Sequence, residues 1–370
     1  MKKILHIQVL PKLSGVQKIS LEIFRALPDD QYQKWVLFST ECDAGDRNAC
    51  IQAFEQVGAK VLLSKNLKRS IGLSDFAAAR EIYKLCRKER FDIVHTHSTK
   101  PGIIGRIAAT LARVPKVVHT VHGLAFHRYV RFPRWQFYWA CEMFASLFCH
   151  RIIMVNKYYG RYFKWFGKKV TTIYNGIDFN QFPQIEKSEN NFPKLLFVGR
   201  LDEPKDPITL LQALQRVTQI EPRLTCTLVG DGEKYAECKT FIEAHGLTEN
   251  VTLSGWQNNV THYYASHDIF VASSIYESFG LMFVEAGYYF LPSVATNVEG
   301  IPEIIQDNKT GFLCEPRNPD KIAENILRLV HEMGLRKKMG QAAHAYVTEQ
   351  FTAQKMTEQY KAIYENAPHR

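Results

Sequence analysis

Short, continuously apolar runs alternate with amphipathic stretches along the whole chain. In the first half the apolar runs are I-L-H-I-Q-V-L (4–10), W-V-L-F-S (35–39), K-V-L-L (60–63), D-I-V-H (92–95), K-V-V-H-T-V (116–121), R-I-I-M-V (151–155) and V-T-T-I (170–173). Stretches with helical spacing lie between them, including 16–27, 74–88, 101–112 and 134–148. In the second half the runs are K-L-L-F-V (194–198), T-C-T-L-V (225–229), N-V-T-L-S (250–254), D-I-F-V-A (268–272), P-S-V-A-T (292–296) and G-F-L-C (311–314). Helical stretches again intervene, including 206–218, 233–244, 280–289 and 319–331, and the tail from 335 reads as helix to its end.

Strands that are apolar throughout, each followed by a helix, predict parallel sheets covered on both faces. The pattern runs twice, with a hinge near Y-N-G-I-D (174–178). The expected architecture is therefore α/β, with two facing Rossmann-like domains over 1–175 and 176–350 and a helix at 351–370 that crosses back onto the first. No repeat of solenoid length is visible. Ligands of open parallel sheets bind beyond the carboxyl ends of the strands, so residues just after strands are the first candidates for function.

With 370 residues, 46 % apolar and 23 % charged, the chain has the composition of a globular protein and not of a disordered or fibrous one. No apolar run is long enough to span a bilayer. The opening M-K-K-I-L-H-I-Q-V-L resembles a leader, but His6 and Gln8 interrupt it and no small-residue cleavage site follows, so it reads as a first strand. The eight cysteines form no C-x-x-C pair and are expected to be free thiols in a reducing compartment. The net charge of +10 is uneven. Residues 1–175 carry 29 Lys and Arg against 12 Asp and Glu, whereas 176–370 carry 18 against 25. A basic half suits nucleic acid, an anionic membrane or an anionic substrate.

Several chemistries lack their motif. No G-x-G-x-x-G follows a strand, which disfavours nicotinamide dehydrogenases, and no G-x-x-x-x-G-K-[ST] is present. H-E-x-x-H, G-x-S-x-G and D-x-D are missing too. Without a D-x-D pair to hold a metal, something else must neutralise any diphosphate.

The loop G-R-L-D-E-P-K-D-P (199–207) places Arg200 and Lys205 beside a helix start, a setting for a diphosphate held by fixed charge and free amides. Two solvated cations in a βα loop are the plainer alternative. The segment S-S-I-Y-E-S-F-G-L-M-F-V-E-A (273–286) carries Glu277 and Glu285, with seven residues between them. Ser278 is a candidate cap for a helix starting near Phe279, which puts Glu277 before the helix and Glu285 on its second turn. The carboxylates then lie up to roughly 12 Å apart, the span between the sugar and the ribose of a nucleotide-sugar. The amides of Phe279, Gly280 and Leu281 point at the phosphates between, and Gly280 permits close backbone approach. The alternative is a capped amphipathic helix with a glutamate at the core edge.

The first half offers weaker candidates. His122 follows a strand and precedes Gly123, so it can reach a cleft. Of its neighbours, His95 and His119 are expected to be structural, and with His97 and His127 they show no tight metal spacing. Gly15, in the turn after the first strand, can free backbone amides for a phosphate. The stretch F-H-R-Y-V-R-F-P-R-W-Q-F-Y-W (126–139) mixes rings with Arg128, Arg131, Arg134 and Trp135, which suits a membrane interface, a lipid-linked acceptor or a packed helix with solvated arginines. Pro133 prevents one helix from running through it.

Together these pieces resemble the retaining glycosyltransferases of family 4, with the GT-B fold. The resemblance rests on V-G-R-L-D-E-P-K-D, G-D-G-E, S-S-I-Y-E-S-F-G-L-M-F-V-E-A and E-G-I-P-E in the second half. H-T-H-S, T-V-H-G and N-G-I-D support it in the first. It implies an acceptor-side first domain, a donor-binding second domain, and transfer of a sugar from a nucleotide-diphosphate sugar, UDP being the commonest carrier, with retention and without a metal or other cofactor. By position, Arg200 and Lys205 hold the diphosphate, Glu277 and His122 meet the donor sugar, Glu285 binds the ribose, and Ser278 to Leu281 cradle sugar and phosphate. The implied acceptor is a saccharide or lipid-linked saccharide of surface polysaccharide assembly. The implied location is the cytoplasm or the inner face of its membrane.

The chain departs from the family pattern at Ser14-Gly15, at Glu299-Gly300 before Ile-Pro-Glu, at Phe290-Leu291 before the strand at 292–296, and in lacking an aspartate near His150. Three other readings stay open: an epimerase or hydrolase of nucleotide-sugars on the same scaffold, a non-catalytic nucleotide-sugar-binding partner, and a nucleic-acid binder supported by charge alone.

Overall fold

A computed structural model describes residues 1–70, 72–183, 190 and 192–366. The chain divides into two compact units, Met1–Gly176 with Ala353–Arg370, and Ile177–Thr352.

The first unit is built on a parallel sheet of seven strands: β1 (Lys2–Ile7), β2 (Tyr32–Ser39), β3 (Ala59–Ser64), β4 (Ile93–His97), β5 (Lys116–Val121), β6 (Arg151–Met154) and β7 (Val170–Thr172). Their spatial order is β3-β2-β1-β4-β5-β6-β7. The order reverses between β1 and β4, the switch point at which doubly wound sheets bind ligands. Side chains alternate between the sheet's two faces. On one face Ile4, Ile93 and Val118 pack under the helices Gly15–Ala26 and Ala353–Glu365. On the other, Leu5, Ile7, Val94, Val117 and Val121 pack with Ile82, Ala108 and Met143 of the helices Ser74–Glu89, Thr99–Leu111 and Arg134–Ser146. Parallel register sets His6 beside His95 and His97 beside Thr120, all on the first face.

The C-terminal helix Ala353–Glu365 belongs to this unit. Met356, Tyr360 and Tyr364 recur every four residues, so one buried stripe meets the core formed with Phe24 and Ile173.

The second unit has six parallel strands: β8 (Lys194–Val198), β9 (Thr225–Val229), β10 (Val251–Gly255), β11 (Ile269–Ala272), β12 (Ser293–Thr296) and β13 (Gly311–Cys314), in the order β10-β9-β8-β11-β12-β13. Its core joins Leu195, Phe197, Leu228 and Val271 to Leu210, Leu214, Ile322 and Ile326 of the helices Pro207–Ile220 and Pro319–His331.

Each apolar run read from the sequence is a strand, although β1 ends at Ile7 and not at residue 10. The tail is two helices, Met333–Gln350 and Ala353–Glu365, and not the single helix expected. The break has a cause. The Phe351 carbonyl accepts the Ile177 N–H at 2.9 Å, Thr352 bridges to Ile177, and the buried Phe351 ring packs edge-on to Phe279.

Candidate active site

In the second unit the loop after β8 is pinned before it reaches its cations. Leu201 is fully buried, and its N–H donates to the Asp231 carbonyl at 3.0 Å. The G-D-G turn below allows no side chain: a Cβ on Gly230 would lie 1.8 Å from the Gly199 carbonyl oxygen, and one on Gly232 2.3 Å from that of Leu201. Arg200 bonds the Asp202 carboxylate at 2.8 Å and is 68 % exposed. Asp202, largely buried, also accepts the Lys205 N–H. Burial pushes its carboxyl up, opposed by the charges of Arg200 and Lys205.

Lys205 turns to the other candidate loop. Its ammonium donates to the Glu277 carboxylate, and both side chains are 13 % exposed. The loops after β8 and β11 are joined further by Ser273 Oγ, which donates to the carbonyls of Lys205 (3.1 Å) and Asp206 (2.7 Å), and by the Ile275 N–H on the Pro204 carbonyl at 2.9 Å. A lysine and a glutamate held from both backbones lose little side-chain freedom on engaging a ligand.

The helix after β11 spans Leu281–Tyr288, two residues later than the sequence suggests, and Ser278 does not cap it. Gly280 occupies the cap position with φ 91°, a left-handed conformation that glycine adopts without penalty. A Cβ there would lie 2.7 Å from the Phe283 ring. The helix's leading amides are thus those of Leu281 and Met282, while Phe279 is buried before it. Tertiary contacts outweigh the serine: the Gly300 N–H donates to the Glu277 carbonyl at 3.1 Å, and a Cβ on Gly300 would lie 2.2 Å from the Ser278 carbonyl oxygen. E-G-I-P-E is the support beneath Glu277.

Glu285 lies on the second turn, as expected, and its carboxylate accepts the Tyr264 hydroxyl at 2.7 Å. Burial and the adjacent carboxylate hold the Tyr264 phenol well above its ordinary range. Sequence reasoning missed Tyr264. A fully buried tyrosine must place its hydroxyl on an acceptor, but nothing in the sequence says which. Ser274, also buried in the loop after β11, has no hydrogen-bond partner for its Oγ among the described residues.

The first unit places its candidates separately. His122, half-buried just after β5, has its pKa pushed down to about 4 by burial and is neutral near pH 7. Gly15 is exposed at the start of the helix Gly15–Ala26, where Ser14 is the cap residue. His95 and His119 are structural, as expected: His95 bonds Thr120 and Tyr364, and His119 bonds Thr96 beside the buried Arg106–Glu142 pair. Arg128, Arg131 and Arg134 are exposed. Trp135 is packed between Phe126 and Trp139, whereas the rings that reach the surface nearby are Phe132, Phe137 and Trp165. No helix among the described residues is long and apolar enough to cross a membrane.

Two family models together match residues 13–346 of the chain. "Glycosyltransferase Family 4" matches residues 13–181 and "Glycosyl transferases group 1" matches 178–346. A relative in Escherichia coli, UDP-Gal:alpha-D-GlcNAc-diphosphoundecaprenol alpha-1,3-galactosyltransferase, is 30 % identical over 98 % of this chain and 96 % of its own. The chain belongs to glycosyltransferase family 4. N-acetyl-alpha-D-glucosaminyl L-malate synthase of Bacillus anthracis is 28 % identical over 78 % of each chain. Among solved structures, the Anabaena protein HepE in complex with UDP and glucose superposes with a TM-score of 0.82 at 20 % identity, covering 98 % of this chain and 99 % of its own. The fold is GT-B, with two Rossmann-like domains.

Two residues at the segments where the chain departs from the family pattern hold a side chain in a left-handed conformation: Phe290 at φ 60° and Glu299 at φ 41°. Phe290 gains a partner there, its ring lying 4.0 Å from that of His344 in a stack tilted by 6°.

Proposed function

We propose that this glycosyltransferase moves a sugar from a UDP-sugar to a lipid-diphosphate-linked saccharide in surface polysaccharide assembly, with retention at the anomeric carbon and without a metal. The observation that carries the reading is the Lys205–Glu277 pair, with Arg200 in the same loop as Lys205 and the helix Leu281–Tyr288 opening four residues after Glu277. The names of the E. coli relative and of the UDP complex of HepE support the donor and acceptor classes.

Arg200 and Lys205 bind the diphosphate and take up the charge that develops on it as the bond to the anomeric carbon breaks. The amides of Leu281 and Met282 add the positive end of a helix. Ser278, Phe279 and Gly280 line the phosphate and sugar through their backbone, and Gly15 offers an amide from the first unit. Glu285, oriented by Tyr264, accepts the ribose hydroxyls. Glu277 accepts a donor-sugar hydroxyl, and His122 meets the same sugar. The acceptor hydroxyl forms the new bond on the face the diphosphate leaves, and its proton passes to a departing phosphate oxygen. No side chain is required as a nucleophile, and two side-chain cations do the work a metal would do.

Arg128, Arg131 and Arg134, with the exposed rings of Phe132 and Phe137, are the proposed contact with the acceptor and with an anionic membrane at the inner face of the cytoplasmic membrane. The test is transfer from labelled UDP-sugars to polyprenyl-diphosphate-linked N-acetylglucosamine, with and without chelator. The expected product is an α-linked disaccharide lipid formed equally with chelator. Donor epimerisation or hydrolysis without transfer contradicts the reading.

A further inference from the structure

The first unit buries His6, His95 and His97 on one face of its sheet, and the half-buried His122 adjoins them. These rings make one connected chain. His97 Nδ1 lies 3.0 Å from His122 Nε2, and the two rings stack at 5.3 Å with a 24° tilt. His97 Nε2 lies 3.2 Å from His6 Nδ1, which also meets Ser20 Oγ at 2.5 Å. His6 Nε2 is 3.2 Å from the Tyr364 hydroxyl, and that hydroxyl is 2.6 Å from His95 Nδ1. His95 Nε2 is 2.8 Å from Thr120 Oγ1, which lies 3.2 Å from the Tyr360 hydroxyl. Tyr360 and Tyr364 come from the C-terminal helix. That helix is fastened to β5 by Lys116, whose ammonium donates to the carbonyls of Ile363 (2.9 Å) and Tyr364 (2.8 Å).

Burial holds His6, His95 and His97 well below their ordinary pKa, so each ring is neutral. A neutral imidazole has one N–H: a ring that donates on one side must accept on the other. The chain from Tyr360 to His122 therefore runs in a single direction at a time, and the tautomer of His122 is tied to groups on the C-terminal helix. One nitrogen from each of His6, His95 and His97 lies within 4.8 Å of the other two, the count of a metal site. Both nitrogens of His6 and of His95 are already committed to Ser20, His97, Tyr364 and Thr120.

We propose that His97 is a positioning residue: linked through His6 to Tyr364 of the C-terminal helix, it fixes the ring orientation and the tautomer of His122, leaving Nδ1 of His122 as the nitrogen offered to the donor sugar. This rests on the reading that His122 meets that sugar. It goes beyond that reading in making the last helix of the chain part of the site's hydrogen bonding. Nδ1 of His122 has no hydrogen-bond partner among the described residues.

The test uses the full-length protein labelled with ¹⁵N-histidine, with the His122 ring assigned by its loss in His122→Gln. Long-range ¹H–¹⁵N spectra report the tautomer. Wild type should show His122 as one neutral tautomer, with widely separated nitrogen shifts. In His97→Phe, which keeps the ring stack and removes the hydrogen bond, the two shifts should move toward each other, and the KM for donor should rise about 10-fold with a smaller change in kcat. His97→Asn, whose amide can still reach His122, should restore both. Tyr364→Phe should alter the His122 shifts although it lies beyond His97. Unchanged His122 shifts in His97→Phe overturn the proposal. Shifts that move as expected, with donor KM unaffected in both His97→Phe and His122→Gln, overturn the donor-sugar role of His122 and leave the hold of His97 on it standing.

Discussion

The Lys205 ammonium is bonded to the Glu277 carboxylate, joining the loop after β8 to the loop after β11 across 72 positions of sequence. Neither residue is charge on open surface, since each side chain is 13 % exposed. A pair so far withdrawn from water needs its partner, because a lone buried charge is costly. That dependence makes the pair testable.

Lys205→Met should lower stability by about 2–3 kcal/mol, because it leaves Glu277 without its counter-charge. Adding Glu277→Gln should recover most of that loss, since the neutral amide no longer needs a cation. Urea unfolding of the two single variants and the double variant measures this. Additive losses would show that the two side chains do not interact.

Glu277→Ala should cut turnover by at least about 100-fold, and it should lower the melting temperature as Lys205→Met does, because Lys205 loses its counter-charge, while the variant still melts cooperatively as a folded protein. Steady-state transfer assays read the first and a thermal melt the second. Wild-type turnover would remove Glu277 from the donor site.

Tyr264→Phe deletes the 2.7 Å hydrogen bond to Glu285 and nothing else in the proposed site. The carboxylate then orients the ribose less well, and the Kd for UDP should rise by roughly 5- to 30-fold, the equivalent of about 1–2 kcal/mol. Calorimetric titration with UDP checks it, and an unchanged Kd would show that Tyr264 does not orient Glu285.

Acid should destabilise the first unit. His6, His95, His97 and His119 are held well below their ordinary pKa, and His122 at about 4, in each case chiefly by burial. As pH falls through about 6.5 the unfolded chain takes up protons that the folded chain refuses, so stability drops. Each ring contributes at most about 1.4 kcal/mol per pH unit. Above pH 7 these groups add no dependence. Thermal melts from pH 7.5 to 5 should show a falling midpoint below 6.5, and a flat profile would contradict the burial of these rings.

The strands were legible because parallel strands are buried on both faces and read as unbroken apolar runs. The loops holding Arg200, Lys205 and Glu277, and the helix that carries Glu285, were legible because βα connections follow those runs. Local rules failed where distant backbone took over. Ser278 looks like a cap, yet Gly300 holds the preceding residue by its carbonyl and leaves Gly280 to start the helix. Hydrogen-bond partners far along the chain were also hidden. Tyr264 finds Glu285 across 21 positions, His95 finds Tyr364 across 269, and His6 finds Tyr364 across 358. Only the fold brings these groups together.

The account stands on the second unit gripping a nucleoside diphosphate through two cationic side chains. Calorimetric titration of UDP into wild type and into Arg200→Ala/Lys205→Ala tests this most directly. Each lost charged contact is worth about 1.5–3 kcal/mol, so the double variant should bind at least about 100-fold more weakly while melting as a folded protein. An unchanged Kd in a folded double variant would contradict the account.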